Sequence, residues 1–318
     1  MIYDFAEIEK YIPAKVTPNF GALEDTGRRY GEVRELVFNR LSPLPVFWNE
    51  RTRFLKIRGS LAFAYQAHNY QFSTADLNDF VRYLQDVFGL TLFDAHVTKL
   101  EAGILLEVPF SPEAFFATHL RVKGMKTVPF DFGRYFKSPA FTMKLYDAGR
   151  RLKQIVPKEV RNDLQSLYGY NPGANYLRIE NHYHKPAICL KQSPILLADL
   201  TNEVFQARCR ADLLNTYETI VKTPPLLLPE AKKDLTASTI PLIVLKALEG
   251  KFGFDAETEV FNFLKTLPKD LLPPEDRKKR SQQLRANFGR ITGPASTSTT
   301  YDLTDSLREK LYVSGATI

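Results

Sequence analysis

Cysteine is almost absent from this chain, with two among 318 residues, Cys189 and Cys209. A disulfide framework is excluded, and a single spacing of twenty matches neither a zinc site nor a redox pair. Long apolar runs are missing as well. The best stretches, Ile195–Ala198 and Ile240–Leu245, stop far short of the roughly eighteen residues a membrane helix needs. The first residues, Met1-Ile2-Tyr3-Asp4-Phe5-Ala6-Glu7, lack the basic start and apolar core of a signal peptide, so residence in the cytoplasm is expected. No phosphate-cradling P-loop, no G-x-G-x-x-G turn and no G-x-S-x-G elbow occurs, which leaves ATPase, dehydrogenase and hydrolase functions without a motif. Repeats, heptads and low-complexity blocks are also lacking, except for a small-residue tract at 292–300 that suits a loop or linker.

What is present is an ordinary globular composition, 44% apolar and 25% charged, in a 36.4 kDa chain large enough for one big domain or two smaller ones. The net charge of +7 is concentrated. Between Arg121 and Arg161 there are eleven Lys or Arg against three Asp or Glu, so the rest of the chain sums to about −1. Phe130, Phe132, Tyr135, Phe136, Phe141 and Tyr146 are interleaved with that charge, a mixture suited to phosphates and unstacked bases. On that pattern the expected phosphate contacts are Arg121, Lys123, Lys126, Arg134, Lys137, Arg150, Arg151 and Lys153. A solvated basic face over an aromatic core has the same composition. A second run, Arg277-Lys278-Lys279-Arg280 with Arg285 and Arg290, follows Pro273-Pro274-Glu275-Asp276 and predicts a basic helix.

Periodicity places the elements. Arg53–Tyr65 alternates as a half-buried strand, and Ser73-Thr74-Ala75-Asp76 opens a helix through Leu77, Phe80, Val81, Leu84 and Phe88 that Gly89 stops. Val97–Val108 alternates as a second strand, Ser111-Pro112-Glu113 starts a helix to about Leu120, and Phe141–Tyr146 and Tyr176–His184 give a third and fourth strand. A helix is expected to follow from about Asp147 or Gly149. Beyond Leu190 the pattern turns helical, over Leu196–Val221 with a break at Pro224-Pro225, then Ile240–Leu248, Ala256–Thr266 and Arg277–Asn287. The expectation is an α+β fold, an antiparallel sheet with helices on one face over residues 1–195, followed by a mostly helical C-terminal domain over 196–318.

Three of these strands present polar residues away from their apolar stripe: Lys99 with Glu101, Lys144 with Tyr146, and Arg178 with Glu180, His182 and His184. If the strands are neighbours, these groups converge. Two carboxylates and an imidazole suit Mg2+ or Mn2+, and such an ion would polarise a phosphodiester for attack by Tyr146, with Lys144 helping to lower the phenol barrier. The same pairs also fit plain cross-strand ion pairs on a solvated sheet.

The ordered set Ile57-Arg58-Gly59-Ser60-Leu61, His68-Asn69-Tyr70-Gln71-Phe72-Ser73, Lys99-Leu100-Glu101-Ala102-Gly103, Lys144-Leu145-Tyr146-Asp147 and Leu177-Arg178-Ile179-Glu180 resembles the rolling-circle replication initiators of small plasmids and phages, in the form found in Bacteroidetes mobile elements. The resemblance spans about residues 50–190. It implies a nickase-like core and a site-specific DNA nickase and strand transferase working through a covalent tyrosyl intermediate in the cytoplasm of a bacterial host. Tyr146 would be the nucleophile, Lys144 its catalytic neighbour, and Glu101, Glu180, Asp147 and His182 the metal-ligand candidates. Lys99 and Arg178 would join the DNA contacts. Single-stranded or supercoiled origin DNA is then the partner, a host helicase is implied by the family alone, and no membrane is involved. His182-Tyr183-His184 is similar to the His-hydrophobe-His strand of single-strand nickases, though here it follows the tyrosine. Ala148 and Leu106 stand where the family pattern has lysine and asparagine. A non-catalytic DNA-binding or structural protein of a mobile element is the alternative.

Overall fold

The computed structural model describes residues 2–222, 236, 238–252, 254–292 and 301–313. In its first half, five strands, β1 (Ile2–Tyr11), β2 (Glu24–Tyr30), β3 (Val33–Asn39), β4 (Pro43–Asn49) and β5 (Phe54–Ser60), lead into helices α1 (Leu61–Gln66) and α2 (Thr74–Phe88). The central strand β6 (His96–Val108) precedes α3 (Pro112–Thr118) and three short strands, β7 (His119–Val122), β8 (Lys126–Phe130) and β9 (Gly133–Lys137). Strand β10 (Phe141–Asp147), the helices α4 (Ala148–Ile155) and α5 (Lys158–Tyr168), strand β11 (Asn175–Tyr183) and the short α6 (Pro186–Cys189) complete that half. Then come a 3-10 turn at Leu197–Thr201, α7 (Glu203–Glu218), β12 (Ile220–Lys222), α8 (Ile240–Phe252), α9 (Ala256–Thr266), α10 (Pro274–Thr292) and α11 (Thr304–Arg308), which runs on into a wider turn at Glu309–Val313.

Ten strands form one antiparallel sheet in the order β2-β3-β4-β5-β1-β6-β11-β10-β9-β8, and β7 pairs separately with β12. The fold is α+β with a large antiparallel sheet. Helices lie on both faces rather than one. On the first face α2 buries Leu77, Phe80, Val81, Leu84 and Phe88 against Ile8, Leu55, Ile57, Val97 and Leu100, while α3 and α7 cover Ile104, Leu106, Leu145, Leu177 and Ile179. On the second face the described helices cover one end. There α4 and α5 pack Ala148, Leu152, Val156 and Leu164 with Tyr70, Tyr170 and Tyr176. The rest of that face carries the polar residues of β1, β6, β10 and β11.

Local signals account for several boundaries. Ser73 accepts from the Asp76 amide while Asp76 accepts from the Ser73 amide, a complete capping box, and Gly89 closes α2 in the left-handed conformation at φ 62°. The stretch expected as one strand over Arg53–Tyr65 is instead β5 followed by α1. Its hinge is Ser60, whose hydroxyl accepts from the Phe63 amide and so caps the helix before the alternation can continue. The boundary expected near residue 195 runs through a shared core: Phe205 and Cys209 of α7 pack with β1 and β6, and Leu213, Tyr217, Leu303 and Leu307 pack with Leu145 and Ile179. A separate small cluster, Leu242, Phe288 and Ile291, joins α8 to α10. Pro224-Pro225 and most of the 292–300 tract lie outside the described residues.

Candidate functional site

The pairing of β6, β11 and β10 decides which side chains meet. In register, Lys144 faces Glu180, Glu180 faces Gly103, Tyr146 faces Arg178 and His182 faces Glu101. Because directly paired residues share a face, Glu101, Lys144, Tyr146, Arg178, Glu180 and His182 all project from the partly open side. The structure brings these six together. The Lys144 ammonium lies between two carboxylates, in close contact with Glu101 and 3.2 Å from Glu180 Oε1. Arg178 Nε donates to Glu180 Oε2 at 3.0 Å, the Tyr146 hydroxyl donates to the same oxygen at 3.4 Å, and His182 Nδ1 lies 3.6 Å from Glu101 Oε2.

Two glycines make room for this arrangement. A Cβ on Gly103 would lie 2.4 Å from Glu180 Cβ and 2.7 Å from the Ile179 carbonyl oxygen. One on Gly133 would lie 2.3 Å from the Leu145 carbonyl oxygen and 2.7 Å from Tyr146 Cβ. Each glycine thus allows the neighbouring strand, with its site residue, to approach closely.

Burial sets the electrostatics. Glu180 is 2% exposed, and burial, reinforced by the Glu101 carboxylate, pushes its pKa up to about 7 despite Lys144 and Arg178. Lys144 moves the opposite way from a merely buried amine: Glu180 and Glu101 outweigh its desolvation and hold the ammonium charged, well above its usual range. Burial, aided by the Lys144 charge, drives His182 down to about 4, so its imidazole is neutral at pH 7. Burial and the Glu180 carboxylate raise the Tyr146 phenol well above its ordinary value near 10.

One member of this face has no counterpart in the sequence expectations. Glu7 of β1 is buried; desolvation raises its pKa, but Lys99 and Lys56 outweigh it and hold the carboxyl below its usual value. Its oxygens lie 3.2 Å from Lys99, 3.6 Å from Lys56 and 3.8 Å from Arg58. The alternation of Ala6 and Ile8 with Glu7 and Glu9 is the signal that could have found it. Phe5 stacks on His182 at 5.2 Å between ring centroids, and His184, 4.8 Å from His182, pairs through Nε2 with the Thr142 hydroxyl at 3.0 Å.

The remaining candidates spread over several surfaces. Asp147 alternates with Tyr146 and points away from the cluster; its carboxylate caps α4 by accepting from the Arg150 amide at 2.8 Å. It is therefore placed as a helix cap, apart from Glu101 and Glu180. Arg134 is 2% exposed and donates to the His119 carbonyl at 2.7 Å, so it holds the β7 strand and is not part of a basic surface. Arg178 is buried too. Arg121 sits on β7, 4.0 Å from Asp255, and Lys123 is exposed in the following turn. Lys126 and Lys137 face each other across β8 and β9 on the site's side of the sheet, with Lys137 Nζ 5.5 Å from the Tyr135 ring centre and Tyr135 stacked on Phe130 at 4.3 Å. Arg150, Arg151 and Lys153 are exposed on α4, with Arg150 5.5 Å from the ring centre of Phe132. In the second basic run Arg277 turns inward to the Leu267 and Leu272 carbonyls, while Lys278, Lys279 and Arg280 are exposed.

Glu101, Glu180 and His182 are the donor types a hard divalent cation takes, but among the described residues they are not arranged as a metal site. Two crowded carboxylates already converge on a cation, and the neutral imidazole lies beside them. The position between the carboxylates is held by the Lys144 ammonium, and among the described residues no cluster of three or more His, Cys, Asp or Glu is arranged to hold a metal. Beside Tyr146 a small pocket opens between the Asn69-Tyr70 loop, Ala148 and Arg151 of α4, and Arg178. Leu106, by contrast, lies in the core of the other face.

No protein-family model matches the chain, no curated protein matches it, and no solved structure matches it. Among the described residues, no helix is long and apolar enough to cross a membrane.

Proposed function

We propose that the protein is a DNA nickase and strand transferase that initiates rolling-circle replication, with Tyr146 as its nucleophile. The observation that carries this is the Tyr146 hydroxyl donating to Glu180, a carboxylate whose pKa of about 7 suits a general base at neutral pH. The resemblance to replication initiators over residues 50–190 supports the same assignment. Tyr146 Oη attacks the phosphorus of a backbone phosphodiester, and its proton passes to Glu180 Oε2. The P–O bond in line with the attack breaks, leaving a phosphotyrosyl link and a free hydroxyl on the departing strand, whose oxygen takes a proton from Lys144 or water. Strand transfer is the reverse of this step with a second hydroxyl. Lys144 and Arg178 offset the charge that gathers on the phosphoryl oxygens.

Glu101 and His182 would hold Mg2+ or Mn2+, which supplies Lewis-acid polarisation of the phosphodiester when bound, and Glu180, as the base for Tyr146, stands outside that pair. Lys126, Lys137, Arg150 and Arg151, with Phe130, Phe132 and Tyr135 beside them, suit the backbone and bases of a single strand. Origin DNA is the substrate on this assignment, a host helicase the expected partner, and the bacterial cytoplasm the setting.

A second assignment has its own observation. The buried charges satisfy one another, Lys144 with both carboxylates and Arg178 with Glu180, as they would in a non-catalytic DNA-binding protein of a mobile element. Purified protein, labelled single-stranded circular DNA of the parent replicon and magnesium or manganese, run on a denaturing gel, separate the two. The nickase gives an EDTA-sensitive protein-linked band that Tyr146→Phe lacks, and the binding protein gives salt-sensitive binding without a band.

A further inference from the structure

Helix α10 packs along one stripe and leaves the rest of its surface open. Phe288 and Ile291 form a small core with Leu242 of α8, and Leu284, Ile243, Leu245 and Val260 of α9 close around it. Arg277, at the same spacing, turns back to the Leu267 and Leu272 carbonyls. Steps of three and four residues put Arg277, Leu284, Phe288 and Ile291 on one side of the helix. The exposed positions lie on the other side, and their chemistry is uniform.

From Arg277 to Thr292 the helix has six Lys or Arg and no Asp or Glu. Lys278, Lys279, Arg280, Arg285 and Arg290 are exposed, and none of them forms an ion pair among the described residues. The acids of α10, Glu275 and Asp276, are confined to its first turn. A cationic face without counter-charge fits a polyanion. Lys278 and Arg290 are twelve residues apart, about 18 Å along the axis, so cations near the two ends reach phosphates on both sides of a B-form major groove about 12 Å wide. Between them Gln282 and Gln283 present exposed amides, the group that pairs with an adenine edge, and Ala286 and Gly289 let the helix approach closely. An anionic membrane would call for Trp, Phe or Leu on the docking face, and the exposed positions of α10 carry none.

We propose that α10 lies in the major groove of duplex DNA, with Lys278, Lys279 and Arg290 on the phosphates and Gln282 and Gln283 at the base edges. This surface belongs to different elements from the sheet face assigned to a single strand, and it does not depend on the chemistry of Tyr146. On the nickase assignment, α10 holds a duplex while the sheet works on one strand.

The experiment titrates the full chain by fluorescence anisotropy against a labelled mixed-sequence DNA duplex of about two helical turns, over a salt series and without metal. Micromolar binding is expected at low salt. The double variant Lys278→Gln/Lys279→Gln should bind the duplex about tenfold more weakly and reduce the slope of log affinity against log salt by about two. Both side chains are exposed, and a thermal melt matching the wild type establishes that the variant is folded. Its binding to oligo-dT and its Tyr146 adduct should stay within about twofold of the wild type, because the single strand is held by the sheet. Duplex RNA of the same length should bind about tenfold more weakly than DNA, since its deep, narrow major groove does not admit a helix. No duplex binding in the wild type, an unchanged salt slope in the variant, an equal loss on oligo-dT, or equal affinity for duplex RNA overturns the proposal. So does a variant that loses binding to phosphatidylserine vesicles and not to the duplex. Duplex binding through α10 without any adduct upholds the proposal and overturns the nickase assignment; an adduct without duplex binding through α10 does the reverse.

Discussion

Replacing Gly103 with alanine should destabilise the protein, although glycine in a strand interior is ordinarily a poor choice that alanine improves by about 0.5–1 kcal/mol. The reversal follows from what the added methyl meets. Gly103 sits opposite Glu180 in the β6–β11 pair, and its Cβ would be 2.4 Å from Glu180 Cβ, 2.7 Å from the Ile179 carbonyl oxygen and 3.0 Å from Glu180 Cα. Two of those three atoms are β11 backbone, so rotating a side chain brings no relief and the strands must separate. Overpacking of this kind costs typically about 1–3 kcal/mol, which exceeds the strand gain and leaves a net loss of roughly 1–2 kcal/mol. The melting temperature should then fall by a few degrees. The displacement also moves Glu180 relative to Tyr146, so adduct yield should drop by about tenfold or more. The contrasting substitution is Gly289→Ala in α10, where, apart from the chain neighbours and the helix's own backbone, no described atom lies within 4 Å of the new Cβ; it should raise stability by about 1 kcal/mol, as alanine does in a helix. Urea melts of both variants beside the wild type provide the assay. A Gly103→Ala protein as stable as the wild type, or more so, would refute the claim that close strand approach at this glycine builds the site.

Lys144→Met removes the cation between Glu101 and Glu180 and should cost about 3–5 kcal/mol at pH 7. The loss should shrink towards pH 5 as Glu180 takes up a proton, so equal losses at pH 5 and pH 8 in urea titrations would contradict the coupling. His119 is buried against the Tyr217 hydroxyl, and burial lowers its pKa to about 3, below the unfolded value near 6.5. Its contribution is complete above pH 6.5 and is lost as pH falls from there towards 3, at about 1.4 kcal/mol per pH unit. His119→Gln should therefore flatten the acid limb of stability against pH by one proton's slope. For DNA, Lys137→Gln should lower affinity and reduce the salt slope by about one, whereas Arg134→Gln should lower the melting temperature instead, because its guanidinium holds the His119 carbonyl.

The difference between Lys137 and Arg134 illustrates what a sequence can carry. Both belong to one basic stretch, but alternation along β9 sends one outward and buries the other, and a charge count does not see the face. Where a signal is local, it is legible: Ser73, Asp76 and Gly89 mark both ends of α2, and period-two alternation marks β6, β10 and β11. The strand expected through Tyr65 fails at Ser60, where side-chain capping competes with continued alternation and wins. Strand β2 is exposed along its whole length and offers no apolar stripe to recognise. The grouping of Glu101, Lys144, Tyr146 and Glu180 depended on which strands are neighbours and in what register. Pairing between residues some eighty positions apart, such as Glu180 with Gly103, fixes both, and no single segment encodes it. Asp147 shows the converse. The resemblance to replication initiators grouped it with the metal-ligand candidates, but alternation turned it to the α4 terminus.

Locating the covalent link itself bears on the nickase assignment more immediately than any binding or stability experiment. Protein incubated with origin-bearing single-stranded DNA and Mg2+ or Mn2+ is digested with nuclease and protease, and the nucleotide-modified peptide is sequenced by mass spectrometry. A single modified residue, Tyr146, is expected, with modification reduced in Glu180→Gln. A modified tyrosine elsewhere, or no modified peptide on DNA that the protein demonstrably binds, would contradict the assignment.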